Sequence, residues 1–196
     1  MNKKLLLSIL IVSSLLLSGC FSFDGGTQSP TTPTSTELSK IYNNGEFRLQ
    51  YPPSWDVIEP KDFTTEIPGE TQVVIRNNIK NENFTALINV VRNNLQTDKS
   101  TLDYAKEVLN RQKTGLLDYK ETKREITKVS IAGSQQETYY TEFDGRLNPV
   151  DPVIRFIQVY AVKDRKAYII MGSFSAQEQT PVIDLLQKMV KSFTVN

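Results

Sequence analysis

Val153-Ile154-Arg155-Phe156-Ile157-Gln158-Val159-Tyr160-Ala161-Val162-Lys163-Asp164-Arg165-Lys166-Ala167-Tyr168-Ile169-Ile170-Met171-Gly172-Ser173-Phe174 is a pair of apolar runs joined by a charged tip. Val, Ile, Tyr and Phe dominate both runs, and these side chains favour extended backbone. The tip, Lys163 to Lys166, is too short for a crossover and predicts a hairpin. Strands joined by so short a loop run antiparallel. The class follows: an antiparallel sheet rather than an alternating β-α-β chain.

Further strand signals lie on both sides. Ile126, Val129 and Ile131 open a strand-rich half, Gly133-Ser134 reads as a turn, and Gln136 to Phe143 as the next strand. Asp144-Gly145-Arg146-Leu147-Asn148-Pro149 reads as a loop. Lys120, Lys123, Arg124 and Lys128 alternate with Glu121 and Glu125, as on a solvated strand face. In the first half, Glu46 to Tyr51 alternates polar and apolar with period two. Pro52 and Pro53 end that ladder because neither can donate a backbone hydrogen bond. Ser54 to Val57 resumes an extended course, with Trp55, the one tryptophan, expected in the core. Residues 59–70 read as a loop, and Thr71 to Arg76 and Phe84 to Val91 as strands.

Two helices are expected. Ser100 caps the first, with Asp103 completing a capping box, and Leu102, Ala105, Val108 and Leu109 share one face. Gly115 marks its end. For the second, Ser175 with Glu178 would place Pro181 inside the helix. Thr180 as cap with Pro181 at the first helical position avoids that penalty. The apolar stripe is Val182, Leu185, Leu186, Met189, Val190 and Phe193. Strands, helix, consecutive strands, helix is an α+β order.

Gly45-Glu46-Phe47-Arg48-Leu49-Gln50-Tyr51-Pro52-Pro53-Ser54-Trp55-Asp56-Val57 resembles the opening strand and turn of the PsbP family, an F-x-aliphatic-x-Y-P-x-x-W pattern. The close of the chain, Ala167 to Phe174 and then a helix finishing in Lys191-Ser192-Phe193, is similar to the family's end. The resemblance spans residues 41–196 and is motif-like only at these two ends. It implies an α/β/α sandwich around a mostly antiparallel sheet of about six strands. In photosynthetic organisms the family's named member helps retain calcium and chloride at the oxygen-evolving centre, whereas many bacterial and archaeal relatives are exported lipoproteins. The layout here is that of a lipoprotein, so the photosynthetic role is not carried over. The Y-P-x-x-W segment reads as a fold signature and offers no functional residue to transfer.

That layout rests on Leu17-Ser18-Gly19-Cys20, which resembles the bacterial lipobox. Lys3 and Lys4 precede an uncharged run from Leu5 to Leu17, shorter than the roughly 20 residues that span a bilayer. Residues 1–19 are therefore expected to be a signal peptide. Cys20, the one cysteine, is the expected lipid attachment site, carrying acyl chains such as palmitate. A secretory signal with a chance cysteine is the alternative, and it leaves the cysteine's position at the cleavage point unexplained. Residues 20–40 are rich in Ser, Thr, Pro and Gly and read as a disordered tether with an average reach of ~20–25 Å. Residues 41–196 then form one domain on the extracytoplasmic side of a cell membrane. The membrane, through the lipid, and an envelope protein are the expected partners.

Composition narrows the chemistry. The chain has 23 basic and 22 acidic residues, and Lys3 and Lys4 leave with the signal. A near-neutral surface argues against nucleic acid. There is no histidine, which excludes Ser-His-Asp and Cys-His sites. The nine glycines form no phosphate loop. Glu137, Glu142, Asp144 and Asp151 are the candidates for a carboxylate-based hydrolase, or else are surface acids. Asp144, Asn148 and Asp151 are candidate calcium ligands, or else a polar turn. Tyr139, Tyr140, Tyr160 and Tyr168, with Phe143 and Phe156, line either the core or a ligand groove. Asn83-Phe84-Thr85 is a glycosylation sequon. No catalytic residue or cofactor is assigned. The expected role is a non-enzymatic accessory or binding module, with binding of a small ligand or calcium-like cation as the alternative.

Overall fold

The computed structural model describes residues 37–63, 70–79 and 84–196. The signal segment, Cys20, most of the tether, the Pro68-Gly69 part of the loop and the Asn83 acceptor lie outside the described residues.

The strands are β1 (Lys40–Asn43), β2 (Phe47–Tyr51), β3 (Trp55–Ile58), β4 (Thr71–Asn77), β5 (Leu87–Asn94), β6 (Leu117–Ile131), β7 (Ser134–Arg146), β8 (Ile154–Lys163), β9 (Lys166–Ser175) and β10 (Thr194–Val195). The helices are α1 (Thr101–Gly115) and α2 (Thr180–Lys191). A single ten-stranded sheet runs in the order β1-β2-β10-β6-β7-β8-β9-β5-β4-β3. Every neighbouring pair is antiparallel except β10 with β6, which is parallel.

The expected hairpin is present, with Lys163 opposite Lys166 and Asp164 and Arg165 at φ 49° and 57°. That is the backbone of a two-residue turn matched to strand twist. Alternation sends Ile157, Val159, Ala161, Tyr168 and Ile170 to one core and Phe156, Tyr160, Val162, Ile169 and Met171 to another. α2 covers the first with Val182, Leu186, Met189 and Val190, and α1 covers the second with Tyr104, Ala105, Val108 and Leu109.

The six-strand antiparallel sheet sandwiched between helical layers is corrected. Among the described residues the fold is mostly β: ten strands in a mixed sheet with two α-helices. The sheet also curls. Phe47 and Leu49 on β2 share a core with Trp55 on β3, although these strands stand near opposite ends of the order. Each strand pair adds roughly 20–25° of twist, and sheets approaching ten strands curl or split. Here the curl wraps both ends around α2, where a flat six-strand sheet would need helices to cover its faces.

Local signals resolve as follows. Ser100 caps α1, accepting from the Asp103 N–H. α2 starts one residue earlier than expected, with Gln179 at the cap and Thr180 already helical. The competing start is a turn in which the Ser175 hydroxyl accepts from the Gln177 N–H at 3.3 Å. Asp144 to Arg146, expected in a loop, continue β7, because Asp144 and Gly145 still pair with Arg155 and Ile154.

Phe47 is fully buried, and its ring lies 5.4 Å from Phe193 and 6.0 Å from Tyr168. Phe47→Ala is expected to cost about 3–5 kcal/mol, read as a lowered urea midpoint.

Candidate interaction surface

The region that stands apart from the rest is the β6–β7 ribbon. Its register is regular from Lys123 opposite Glu142 to Ile131 opposite Ser134, and it turns through Ala132 and Gly133, both at positive φ. On one side, β7 pairs with β8 only from Thr141 to Gly145. On the other, β6 meets β10 only at Ser130 and Ile131. Much of the ribbon therefore hydrogen-bonds only to itself.

Where β7 leaves β8, side chains replace the missing ladder. The Tyr160 N–H donates to Thr138 Oγ1 at 3.3 Å, and the Val162 N–H to Thr101 Oγ1 at 3.1 Å. Buried N–H groups need such partners, and these two threonines fix how far the strands separate. The opening is a cleft of about 480 Å³ between the start of α1 (Ser100, Thr101), β7 (Gln136, Glu137) and the hairpin end (Val162, Arg165). Several of its polar groups are engaged. The Ser100 hydroxyl donates to Asp103 at 2.7 Å, Lys99 pairs with Glu107, and Arg165 stands 3.9 Å from Asp98.

The outer strand is charged and exposed. Glu121 pairs with Arg124, and Lys123 with Glu125 at 3.1 Å. Lys120 and Lys128 have no ion-pair partner among the described residues, and Ile126 between them is 61% exposed. The solvated strand face expected for this stretch is present. The Tyr140 ring is flanked by Lys123 at 5.0 Å and Lys191 at 5.1 Å, contacts of the cation–π type.

The four candidate acids are spread along β7 and the loop that follows it, three of them engaged by neighbouring side chains. Glu137 and Glu142 are five residues apart on one strand, ~17 Å at 3.4 Å per residue, beyond the span of a glycosidase pair. Glu142 accepts from the Tyr140 hydroxyl at 2.6 Å and the Gln187 amide at 3.3 Å. Asp144 takes a two-point contact from Arg155, at 2.8 and 3.3 Å. This contact raises the pKa of the Arg155 guanidinium and holds it charged. Asp151 accepts from the Asn148 N–H at 3.2 Å and from its side-chain amide at 2.7 Å. The Asn148 amide donates to Asp151, while Asp144 is held on β7, so the three proposed calcium ligands are not brought together. No cluster of three or more acids able to hold a metal occurs among the described residues. Of the aromatics, Tyr140, Tyr160, Tyr168, Phe143 and Phe156 are buried and Tyr139 is half-buried, which makes them core and not groove. Burial pushes up the hydroxyl pKa of Tyr140 and Tyr160.

Sequence reading missed one cluster entirely. Glu46, just before β2, accepts from Lys166 Nζ at 2.6 Å and Arg92 Nη1 at 2.8 Å, with the Tyr168 hydroxyl at 3.4 Å. These residues come from β9 and β5, far across the sheet order, and only the curl brings them to Glu46. The Lys166 hydrogen bond, then that of Arg92, holds the Glu46 carboxyl below its ordinary value of 4.5. A lowered folded pKa stabilises the protein above the unfolded value, and the gain is lost as pH falls through the folded value. Glu46→Gln is therefore expected to cost about 1 kcal/mol near pH 7. In urea titrations across pH, the gap between variant and wild type should close progressively below about pH 4.5.

The PsbP family model matches residues 38–195. The solution structure of cyanobacterial PsbP (CyanoP) from Synechocystis sp. PCC 6803 is similar, with TM-score 0.54 and 17% identity over 87% of this chain and 98% of that one. A protein of unknown function from Pseudomonas aeruginosa, a putative regulator, matches at TM-score 0.43 and 15% identity, over 70% of this chain and 83% of that one. A structure from Bacteroides thetaiotaomicron VPI-5482 matches at 0.44 and 8%, over 76% of this chain and 45% of that one. No curated protein matches the chain.

Proposed function

Because the chain belongs to the PsbP family, we propose that it is a lipid-anchored accessory module on the extracytoplasmic face of a membrane, working by contact with another envelope component and not by catalysis. The family match over residues 38–195 is the observation that carries this reading, since the family is in general one of non-enzymatic accessory proteins. The anchor comes from Leu17-Ser18-Gly19-Cys20. Two acyl chains on that thiol bury enough methylene groups, at about 0.8 kcal/mol each, to hold a protein stably at a bilayer. Residues 21–36 then set the distance between lipid and domain. The self-paired β6–β7 ribbon, with its charged outer strand, gives such a module a surface for contact.

The anchor is tested by feeding cells a labelled fatty acid. The wild-type chain is expected to take up label and sediment with membranes. Cys20→Ser should take up none and should not be released from its signal segment by the lipoprotein peptidase. Equal labelling of both forms, or an unlabelled wild type, overturns the anchor.

A further inference from the structure

We propose that the outer edge of β6, from Lys123 to Val129, takes up an extended acidic segment of a partner protein as an added strand. The proposal rests on the reading of this protein as a partner-binding module, and it names where and what the module binds.

An unpaired strand edge offers a row of backbone donors and acceptors, and strand addition is a common way of binding an extended peptide. Folds usually blunt such edges with short strands, proline, bulges or a covering element. Between Lys123 and Val129 there is no proline, the register with β7 is unbroken, and the two irregularities in β6 lie upstream, before Lys123. The edge is also competent for pairing. The chain's own β10 already adds to it in parallel, Thr194 beside Ser130 and Val195 beside Ile131. Upstream of Ser130 no described strand occupies that side.

Charge selects the occupant. The three acids of β6 are each committed, Asp118 to Arg146 on β7, Glu121 to Arg124 and Glu125 to Lys123. Lys128 keeps an unpaired ammonium, and the exposed Ile126 lies between it and Arg124 on the same face of the strand. A strand carrying carboxylates with apolar residues between them meets both features. A second copy of this chain does not. Antiparallel self-pairing centred on residue 124 sets Arg124 against Arg124. Centred on 125 it opposes Glu125 to Glu125, and centred on 126 it opposes Arg124 to Lys128. Like charges directly opposite are destabilising, so these three registers disfavour a second copy, while the unpaired Lys128 favours an acidic strand.

The test uses the full chain in detergent micelles and a capped peptide of alternating glutamate and valine, with the lysine–valine peptide as control. Hydrogen exchange read by mass spectrometry is expected to show new protection confined to residues 123–129 with the glutamate peptide and none with the control. Binding should weaken as salt is raised. Lys128→Glu, at an exposed residue with no partner to lose, should weaken it roughly tenfold or more while leaving the circular dichroism spectrum and urea midpoint unchanged. Protection over β3 or the α1 cleft, or none anywhere, overturns the proposal. So does binding indifferent to Lys128→Glu. In each of these cases the anchor reading stands or falls separately, on the labelling of Cys20.

Discussion

The closure of the curled sheet over α2 is the constraint from which the other features follow. Phe47 and Phe193 meet at 5.4 Å, beside Tyr168, and join the second strand in the order to the helix and to the seventh. Once that contact exists, Glu46 is carried to Arg92 and Lys166, and a charged group enters a half-buried place with its partners waiting. Aromatic burial supplies most of the stabilisation here, at roughly 25 cal/mol per Å² of apolar surface. The ion cluster adds charge-assisted hydrogen bonds that join the start of β2 to β5 and β9.

Curling also explains the loose ribbon. A sheet that wraps on one side opens on the other, and β7 separates from β8 where the strands diverge. Thr138 and Thr101 compensate at Tyr160 and Val162, so the divergence is held at a definite width. The outer part of β6 then lies beyond the cover of either helix. Its alternating charges suit water, and they keep the ribbon soluble without a neighbour.

Legibility in the sequence followed the range of the interactions. Strands marked by runs of β-branched residues, such as β8 and β9, could be read with their turn, because both signals are local. Ser100 with Asp103 is equally local, and α1 starts where that pair places it. The count of strands was not legible. β1 and β10 are too short to show a period, and β10 is a strand only because β2 and β6 flank it. The sandwich followed from family resemblance and failed on curvature, which depends on the number of strands and not on any one of them. Glu46, Arg92 and Lys166 are each unremarkable in their own segments. The acids Glu142 and Asp144 stand out in the sequence, but their contacts with Tyr140 and Arg155 are visible only in the fold.

β10 is only two residues long, yet it stands between β2 and β6 and is the sole link between the N-terminal strand pair and the remainder of the sheet. During synthesis the first strands thus emerge long before the segment that seats them in the sheet, and until residue 195 arrives β2 has only its side-chain contacts to β5 and β9. Such distant pairing slows folding. Assembly of this domain is therefore completed from its tail, by a segment whose own conformational preference is almost nil.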